Sequence, residues 1–409
     1  MEAVGIVCEF DPLHKGHEAL LRAAKAETGR PVVCAMSGNY TQRGGTACLS
    51  KFARAEMAVR CGADLVAELP TPWAMATAEK FADGGVVLLA KCGVTKLYFG
   101  SECGDIGALQ AVAEALLEET LPQAIRQKMQ GGLPYAAARQ TVLEERMGSG
   151  AALLSQPNNT LGAEYLKAVL RRRLPMEAGT VRRQDGGHFG DASASQIRTL
   201  LAAGQAADAF ALMPAAAAEI LQREMERGRA PVRPDGLERA MLARLRLLDE
   251  NDFAPYDGGG EGLYRRVYRA VQSGGSAAEI LTLATTRRYP TARVRRMLWA
   301  AFLGLEKPAD EVPYVRVLAA TAEGRRLLRQ LQSEGVPVLT KPADVAALGE
   351  EAQQLFTREA QRTDVFALAY PAGQGGCGSD WRHTPVITGW GVCSMQLDTT
   401  VSIAYNIYG

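Results

Sequence analysis

The sequence predicts an α/β protein, with an N-terminal domain built on a parallel sheet, an Arg-rich helical region and a small mixed α/β part at the C-terminal end. Residues 1–100 alternate short apolar runs with helical patterns, which is typical of parallel strands joined by right-handed crossovers. Polar segments follow the runs, at the strand ends where such sheets bind ligands. The chain has 409 residues, of which 47% are hydrophobic, so two or three domains are expected.

The first strand is predicted at residues 3–10, an apolar run that Asp11-Pro12 closes. A helical pattern begins near His17 and fills the segment that follows. A second short apolar run at 31–36 predicts the next strand. The order strand, helix, strand is the unit from which parallel sheets are built.

The pattern continues to about residue 100. The segment 50–61 predicts a helix with Ser50 as its N-cap. A third strand is expected at 63–69, a helix near 74–91 and a fourth strand at 94–99. Four strands in this order complete the core of the predicted sheet.

Helical patterns dominate between 105 and 170, a further strand is expected near 176–183, and another helix opens in 192–198. We place a boundary after this helix, which gives a domain at 1–205 and a second one at 206–409.

The second domain is predicted to be helical and Arg-rich from about 213 to 305. Two short apolar runs, at 314–318 and 336–339, flank a further helical pattern. These runs predict a small α/β element near the C-terminal end.

Composition limits the class of protein. The net charge of +1 decides nothing about nucleic acid, so any such binding needs a local patch. The eight Cys are scattered without a C-x-x-C pair, which favours free thiols in a reducing cytoplasm over a disulfide framework or a zinc site. No apolar run is long enough to span a bilayer, and residues 1–7 lack the features of a secretion signal, so we expect a cytoplasmic location.

The most specific local signal is the loop His14-Lys15-Gly16-His17. The chain has only four His, and two of them lie in this loop between the first strand and the first helix. Backbone N–H groups and the helix dipole at that position attract a phosphate. The alternative is a pair of capping or solvated histidines.

A second candidate group is Ser193-Ala194-Ser195 with Arg198 one helical turn later. Hydroxyls at a helix start either cap the helix or bind a phosphate, and the guanidinium can reach the same anion. The polar segments 37–39 and 100–102 follow predicted strands, so they are expected at the sheet edge that carries the His loop.

Two further features near the first strands leave alternatives open. The segment 36–45 is either a surface loop or a loop that contacts substrate, because it leaves the sheet at the edge expected for His14. Lys51 and Arg54 either meet a phosphate or are ordinary solvated charges of a helix.

An Arg cluster marks the helical region. Residues 265–296 contain eight Arg and one acidic residue, Glu279, with Tyr268 and Tyr289 interleaved. Arg neutralises phosphates and stacks on bases, so the cluster predicts an RNA-backbone patch, with a solvated helix face as the alternative. The candidate RNA-binding residues are Arg265, Arg266, Arg287, Arg288, Arg293 and Arg296.

Several motifs in order resemble one family. The H-x-G-H loop with a distal Ser-x-x-Arg helix is similar to the nucleotidyltransferase superfamily, which has a Rossmann-like domain. Residues 5–17 more closely resemble the bacterial tRNA(Met) cytidine acetate ligases. Further matches are 36–44, 64–70, 99–102, 157–162 and the Arg-rich stretch 287–296.

The resemblance implies that acetate is joined to the wobble cytidine of elongator tRNA(Met), with ATP consumed through an acetyl-adenylate and Mg²⁺ accompanying the phosphates. We expect His14 and His17 to bind the triphosphate and Ser195 and Arg198 to hold the leaving pyrophosphate. No metal site made by the protein, no membrane and no DNA partner is expected. The residues that the resemblance assigns to ATP are Gly5, Ile6, Val7, Cys8, Glu9, Phe10, Asp11, Pro12, Leu13, His14, Lys15, Gly16, His17, Glu18, Ala19, Leu20, Gly100, Asn159 and Arg183, with Asn158 and Arg182 left open as alternatives to the last two.

One residue departs from the family pattern, which usually has Asn where this chain has Asp11. A carboxylate beside phosphates either caps the turn or takes part in binding, and the sequence leaves this open. Two other functions also fit in part. A small-molecule adenylyltransferase or pantoate-ligase-like enzyme explains the His loop but not the Arg cluster, and a non-catalytic RNA-binding protein explains the cluster but not the loop.

Overall fold

The computed structural model describes residues 2–133, 135–182, 193–258, 262–373 and 376–388. The predicted α/β class is confirmed: one sheet runs in the order β5-β4-β1-β2-β3-β6-β7, and β8 pairs with β6. The strands are β1 (Ala3–Cys8), β2 (Val32–Ser37), β3 (Leu65–Leu69), β4 (Val94–Ser101), β5 (Glu177–Arg182), β6 (Val315–Ala320), β7 (Val338–Leu339) and β8 (Val386–Ile387).

Helices connect the strands and form the region between β5 and β6. They are α1 (Lys15–Thr28), α2 (Lys51–Arg60), α3 (Thr71–Ala74), α4 (Ala78–Lys91), α5 (Ile106–Leu117), α6 (Leu121–Gln130), α7 (Tyr135–Met147), α8 (Pro157–Arg172), α9 (Ala194–Ala202), α10 (Ala206–Ala211), α11 (Ala215–Glu226), α12 (Glu238–Arg246), α13 (Leu263–Ser273), α14 (Ala277–Ala284), α15 (Thr291–Leu303), α16 (Ala322–Ser333) and α17 (Glu350–Ala367). The helix expected near 74–91 is split, because Thr77 caps a new helix through a bond from the Lys80 N–H.

Strands β1 to β5 are parallel, as predicted, with Gly5 opposite Val33 on one side and Leu97 on the other. The carboxyl ends of parallel strands meet at one edge of the sheet. The loops after Cys8, Ser37 and Ser101 therefore leave the sheet together.

The small α/β element predicted near the C-terminal end is confirmed, since β6 and β7 pair in parallel on either side of α16 in the sequence. The sequence did not predict that β6 also joins the main sheet, where it pairs antiparallel with β3, with Val66 opposite Ala319. The edge of β3 would otherwise leave backbone groups unpaired, and β6 satisfies them. The main sheet thus takes strands from beyond residue 205, and the division of the chain at that point stays a prediction.

Both faces of the sheet are buried. Val7 points into one core with Tyr165 of α8, while its neighbour Ile6 points into the opposite core with Met57 of α2 and Ile220 of α11. Alternate side chains of a strand face opposite sides, so a continuous apolar run is what a sheet covered on both faces requires.

The predicted helical region forms its own core. Helices α12 to α15 pack around Val267, Val294 and Trp299, and Phe366 of α17 joins them. Tyr40, from the loop after β2, is also buried in this core and links it to the sheet. Among the described residues, no helix is long and apolar enough to cross a membrane.

Candidate functional site

The His loop is ordered by its own hydrogen bonds. His14 is the N-cap of α1, where its Nδ1 accepts from the Gly16 N–H at 3.1 Å. The His14 N–H in turn donates to His17 Nδ1 at 3.3 Å. Because His14 caps the helix, α1 begins at Lys15, two residues before the predicted start.

The two imidazoles lie face to face beside the helix terminus. Their ring centroids are 3.7 Å apart at an interplanar angle of 28°, and Phe10 packs edge-on against His17 at 5.1 Å. A neutral imidazole that accepts at Nδ1 carries its proton on Nε2, so the hydrogen bonds assign an Nε2–H donor to each ring. Two such donors at a helix N-terminus suit a polyanion.

Arg198 is brought to this loop from a distant part of the chain. Its Nη1 donates to the Asp11 carbonyl oxygen at 2.5 Å and to Asp11 Oδ2 at 3.1 Å. The Lys15 N–H also donates to the carbonyl of Leu212, the residue after α10, at 3.2 Å, so the chain that follows α9 is held against the loop at a second point. The sequence left the role of Asp11 open, and the structure shows that it binds Arg198.

The two serines of α9 differ. Ser193 is the N-cap and accepts from the Gln196 N–H at 3.1 Å, which is the capping alternative. Ser195 lies exposed in the first turn of the same helix as Arg198. A hydroxyl in that position is accessible to an anion held by the guanidinium.

The loop after β4 meets the N-terminus of α8. Glu102 accepts from the backbone N–H groups of Asn158 and Asn159 at 3.2 and 2.7 Å, and Asn159 Oδ1 accepts in return from the N–H groups of Glu102 and Cys103. Asn159 is 2% exposed, and Asn158 Nδ2 also donates to Glu102. Both asparagines therefore hold this loop in place.

Gly100 and Arg182 lie in the neighbouring strands β4 and β5, where Arg182 stands opposite Ser101. They belong to the same sheet edge as the loop of Glu102. Arg183 and the glycine-rich segment that follows it lie outside the described residues.

The residues from Gly5 to Leu20, which the resemblance assigns to ATP, do not all lie at the same edge of the sheet. Gly5, Ile6 and Val7 lie within β1, and the latter two side chains are buried in the cores on either side. Glu18 forms an ion pair with Arg22 at 2.7 Å along α1. The part that lies at the sheet edge begins after Cys8 and includes the His loop.

The segment 36–45 is anchored at both ends and is not a surface loop. Glu9 Oε1 accepts from the Gln42 N–H at 2.7 Å and from Ser37 Oγ at 3.3 Å, and burial raises the pKa of this carboxyl. The Tyr40 hydroxyl donates to the Arg362 carbonyl at 2.9 Å. This loop therefore joins the end of β1 to the helical core.

Of the two alternatives that the sequence offered for Lys51 and Arg54, the solvated one is wrong, since both side chains are buried and bonded to other parts of the protein. Lys51 is 1% exposed and lies 2.9 Å from Asp380 Oδ1. Arg54 is 0% exposed, its pKa is lowered by burial, and it donates to the carbonyls of Glu9, at 2.5 Å, and Ser37, at 3.1 Å. Arg54 thus ties together the carboxyl ends of β1 and β2.

The Arg cluster divides into two groups. Arg265, Arg266, Arg287 and Arg288 are exposed. Arg266 donates to the carbonyls of Leu283 and Ala284 at 2.7 and 2.9 Å, which fixes its guanidinium at the end of α14. Beside it lies an open groove of about 480 Å³, lined by Gly262, Arg265, Arg266, Arg269, Ala270, Ser273 and Leu283.

Arg293 and Arg296 are less accessible than the prediction assumed. Arg293 pairs with Asp257 at 3.1 Å and lies over the ring of Tyr289. Arg296 is partly buried, which lowers its pKa, and its backbone N lies close to Gly44 of the loop after β2. These two residues are better placed to hold the helical region together than to meet an RNA backbone.

Known proteins share this architecture over almost the whole chain. Residues 1–377 match the family described as HIGH Nucleotidyl Transferase. The chain is 34% identical to the tRNA(Met) cytidine acetate ligase of Caldanaerobacter subterraneus subsp. tengcongensis over 391 residues, 90% of this chain and 96% of that protein. It is 31% identical to that of Acetivibrio thermocellus over 396 residues, 90% and 95% of the two chains.

A solved structure gives the same result in three dimensions. The crystal structure of Thermotoga maritima TmcAL bound with alpha-thio ATP superimposes with a TM-score of 0.88 at 27% sequence identity, covering 95% of this chain and 99% of that chain. The similarity therefore extends over nearly the whole chain.

Proposed function

The chain belongs to the HIGH nucleotidyl transferase family and to the tRNA(Met) cytidine acetate ligases within it, and on this premise we propose that it acetylates cytidine in tRNA(Met) at the expense of ATP. The base is the wobble cytidine of the elongator tRNA, the acyl donor is free acetate, and the products include AMP and pyrophosphate. The match over 90% of the chain and a neighbour bound with an ATP analogue support this proposal.

The reaction proceeds in two steps. An acetate oxygen attacks the α-phosphorus of ATP, and the bond to pyrophosphate breaks. The N4 amine of cytidine then attacks the acetyl carbon, AMP leaves, and the amine loses a proton. Both steps place extra negative charge on phosphate oxygens, which fixed N–H donors stabilise.

The donors of the His loop supply that stabilisation. His14 and His17 each direct an Nε2–H away from the backbone groups that hold their Nδ1 atoms. In this proposal they bind the triphosphate, while Ser195 and Arg198 hold the leaving pyrophosphate. Gly100, Asn159 and the residue pair 182–183 line the rest of the nucleotide site.

A single observation carries the assignment: Arg198, a residue far along the sequence, is bonded to Asp11 directly beside the His loop. A capping role for the histidines alone would not require a guanidinium at that place. The combination of imidazole N–H groups, a helix N-terminus and an arginine is what a polyphosphate needs.

Mg²⁺ is proposed to arrive with the nucleotide rather than to be held by the protein. The described ranges contain no group of three or more His, Cys, Asp or Glu suited to a metal ion. The carboxylate of Asp11, shortly before the His loop, is already engaged by Cys48 and Arg198. The ion would supply charge neutralisation on the phosphates.

The tRNA is proposed to lie on the exposed arginines of the helical region. Arg265, Arg266, Arg287 and Arg288 offer guanidinium groups for backbone phosphates, and the groove beside α13 adds Arg269. We propose that the enzyme works in the cytoplasm. The seven cysteines of the described ranges, which are all free thiols, support this location.

The deciding experiment measures pyrophosphate release from ATP and acetate, with and without tRNA(Met), and N4-acetylcytidine by mass spectrometry of the digested tRNA. We expect acetylcytidine only when ATP, acetate and tRNA are all present. Pyrophosphate release that is the same with and without tRNA, and that leaves the tRNA unmodified, would favour a small-molecule adenylyltransferase. Tight tRNA binding without pyrophosphate release would favour an RNA-binding protein.

A further inference from the structure

We propose that Asp11 is a positioning residue, which holds Arg198 by one end of its guanidinium and leaves the opposite edge for a phosphate. This inference rests on the proposed function, because it takes the ligand of Arg198 to be a polyphosphate.

The Asp11 carboxylate is committed on both oxygens. Oδ1 accepts from the Cys48 N–H at 2.6 Å, and Oδ2 accepts from Arg198 Nη1 at 3.1 Å. Only 11% of the side chain is exposed. The loop that presents Cys48 is itself tied down, since the Cys48 carbonyl accepts from the Val232 N–H at 2.8 Å. Asp11 is therefore a fixed anchor rather than a ligand for acetate or phosphate.

Arg198 uses only one of its three nitrogens on this anchor. Nη1 donates to both the carbonyl and the carboxylate of Asp11, whereas Nε and Nη2 have no hydrogen-bond partner among the described residues. The side chain is 41% exposed. The Nε and Nη2 groups form one planar edge that matches two phosphate oxygens, so the arginine can bind a phosphate without leaving Asp11.

An arginine without such an anchor samples many rotamers and loses that freedom when it binds an anion. The bonds to Asp11 restrict those rotamers before the nucleotide arrives. The negative charge of Asp11 opposes the phosphates, but its oxygens are occupied by donors. An Asn at this position can keep the Cys48 bond, but its amide N–H group would then face another donor in Arg198.

The test is a double-mutant cycle with Asp11→Asn, Arg198→Ala and the combined variant. For each protein, KM and kcat for ATP are measured, together with the Kd for alpha-thio ATP by calorimetry. We expect Asp11→Asn to raise KM and Kd roughly tenfold in the wild-type background and less than about twofold when Arg198 is already Ala. Glu219→Gln, which removes a surface carboxylate paired with Arg60 at 2.6 Å, is the matched control and should leave both constants unchanged.

Arg198→Lys tests the same inference without altering the loop. A single ammonium cannot stay on Asp11 and also present a planar edge, so we expect KM to rise as far as in Arg198→Ala, within about twofold. A wild-type KM in Arg198→Lys would overturn the proposal. The proposal would also be overturned if Asp11→Asn raised KM equally in the wild-type protein and in Arg198→Ala, or if Asp11→Asn lowered KM. Failure of the wild-type protein to bind alpha-thio ATP would instead overturn the proposed function.

Discussion

Lys51 Nζ lies 2.7 Å from Glu68 Oε1, and the two side chains are only 1% and 2% exposed. Arg316 of β6 and Asp380 complete the cluster, so two cations and two carboxylates from four segments meet inside the protein. Buried charges of this kind are tolerated only as matched sets. The cluster therefore fixes α2 and β3 against the C-terminal segment, directly behind the loop that Gly38 begins.

Removal of one member of this cluster should be costly. Lys51→Met leaves Glu68 and Asp380 with a single cation between them, and we expect the free energy of unfolding to fall by about 3–5 kcal/mol. Urea denaturation followed by circular dichroism measures the change. Arg60→Ala, which breaks an exposed pair with Glu219, is the control and should cost at most about 1 kcal/mol. Equal losses in the two variants would contradict the buried-cluster interpretation.

His17→Ala should remove catalysis and spare RNA binding. The substitution deletes one proposed phosphate donor, and losses of about 100- to 1,000-fold are typical for one such group. The measurements are pyrophosphate release and the Kd for tRNA(Met) by filter binding, which we expect to stay within twofold. Arg22→Ala on the same helix, with a side chain 73% exposed, is the control. A parallel loss of tRNA affinity would indicate a structural role for His17.

The exposed arginines and the paired ones should differ in their effect on RNA binding. Replacing Arg287 and Arg288 by Ala should weaken tRNA binding and lower the slope of log K against log salt by about 0.7–0.9 for each phosphate that is no longer neutralised. Arg293→Ala breaks the pair with Asp257 and should lower the unfolding midpoint more than it changes the slope. Arg326→Ala on α16, 61% exposed, should leave the slope unaltered. An unaltered slope in the Arg287 and Arg288 variant would make that surface an ordinary solvated one.

Stability should depend on pH through His383, whose ring stacks on Phe52 at 3.7 Å. Burial lowers its pKa to about 4 from an ordinary value of 6.5, with the nearby Arg316 acting in the same direction. The folded state keeps this imidazole neutral, and the stability gained from the neutral ring is complete above pH 6.5. Between pH 6.5 and about 4 the unfolded chain binds the proton and the folded chain does not, so this stability is lost as the pH falls through that range.

The measurement is the free energy of unfolding at several pH values for the wild-type protein and His383→Gln. Carboxylates titrate in both proteins, so their effect cancels in the difference. We expect the wild-type protein to lose more stability than the variant between pH 6.5 and 5. Identical pH profiles would show that His383 is protonated alike in the folded and unfolded chain.

Local patterns are enough to predict the N-terminal sheet and one end of the site. The strand at residues 3–10, the turn at Asp11-Pro12 and the helix after His14 depend on side-chain periodicity and on capping within a few residues. The two short strands predicted near 314–318 and 336–339 are also confirmed, as β6 and β7. The pairing of β6 with β3 was not predicted, because it depends on an open sheet edge, which no short stretch of sequence encodes.

Charged residues show most clearly which features depend on local sequence and which depend on tertiary contacts. By itself the sequence determined that His14 and His17 lie between a strand and a helix N-terminus, because that geometry needs only neighbouring residues. Only the tertiary structure decided that Arg198 is held by Asp11 across 187 residues and that Lys51 is buried with Asp380. A charge takes its role from its partner and its exposure, and both depend on segments that folding brings together from opposite ends of the chain.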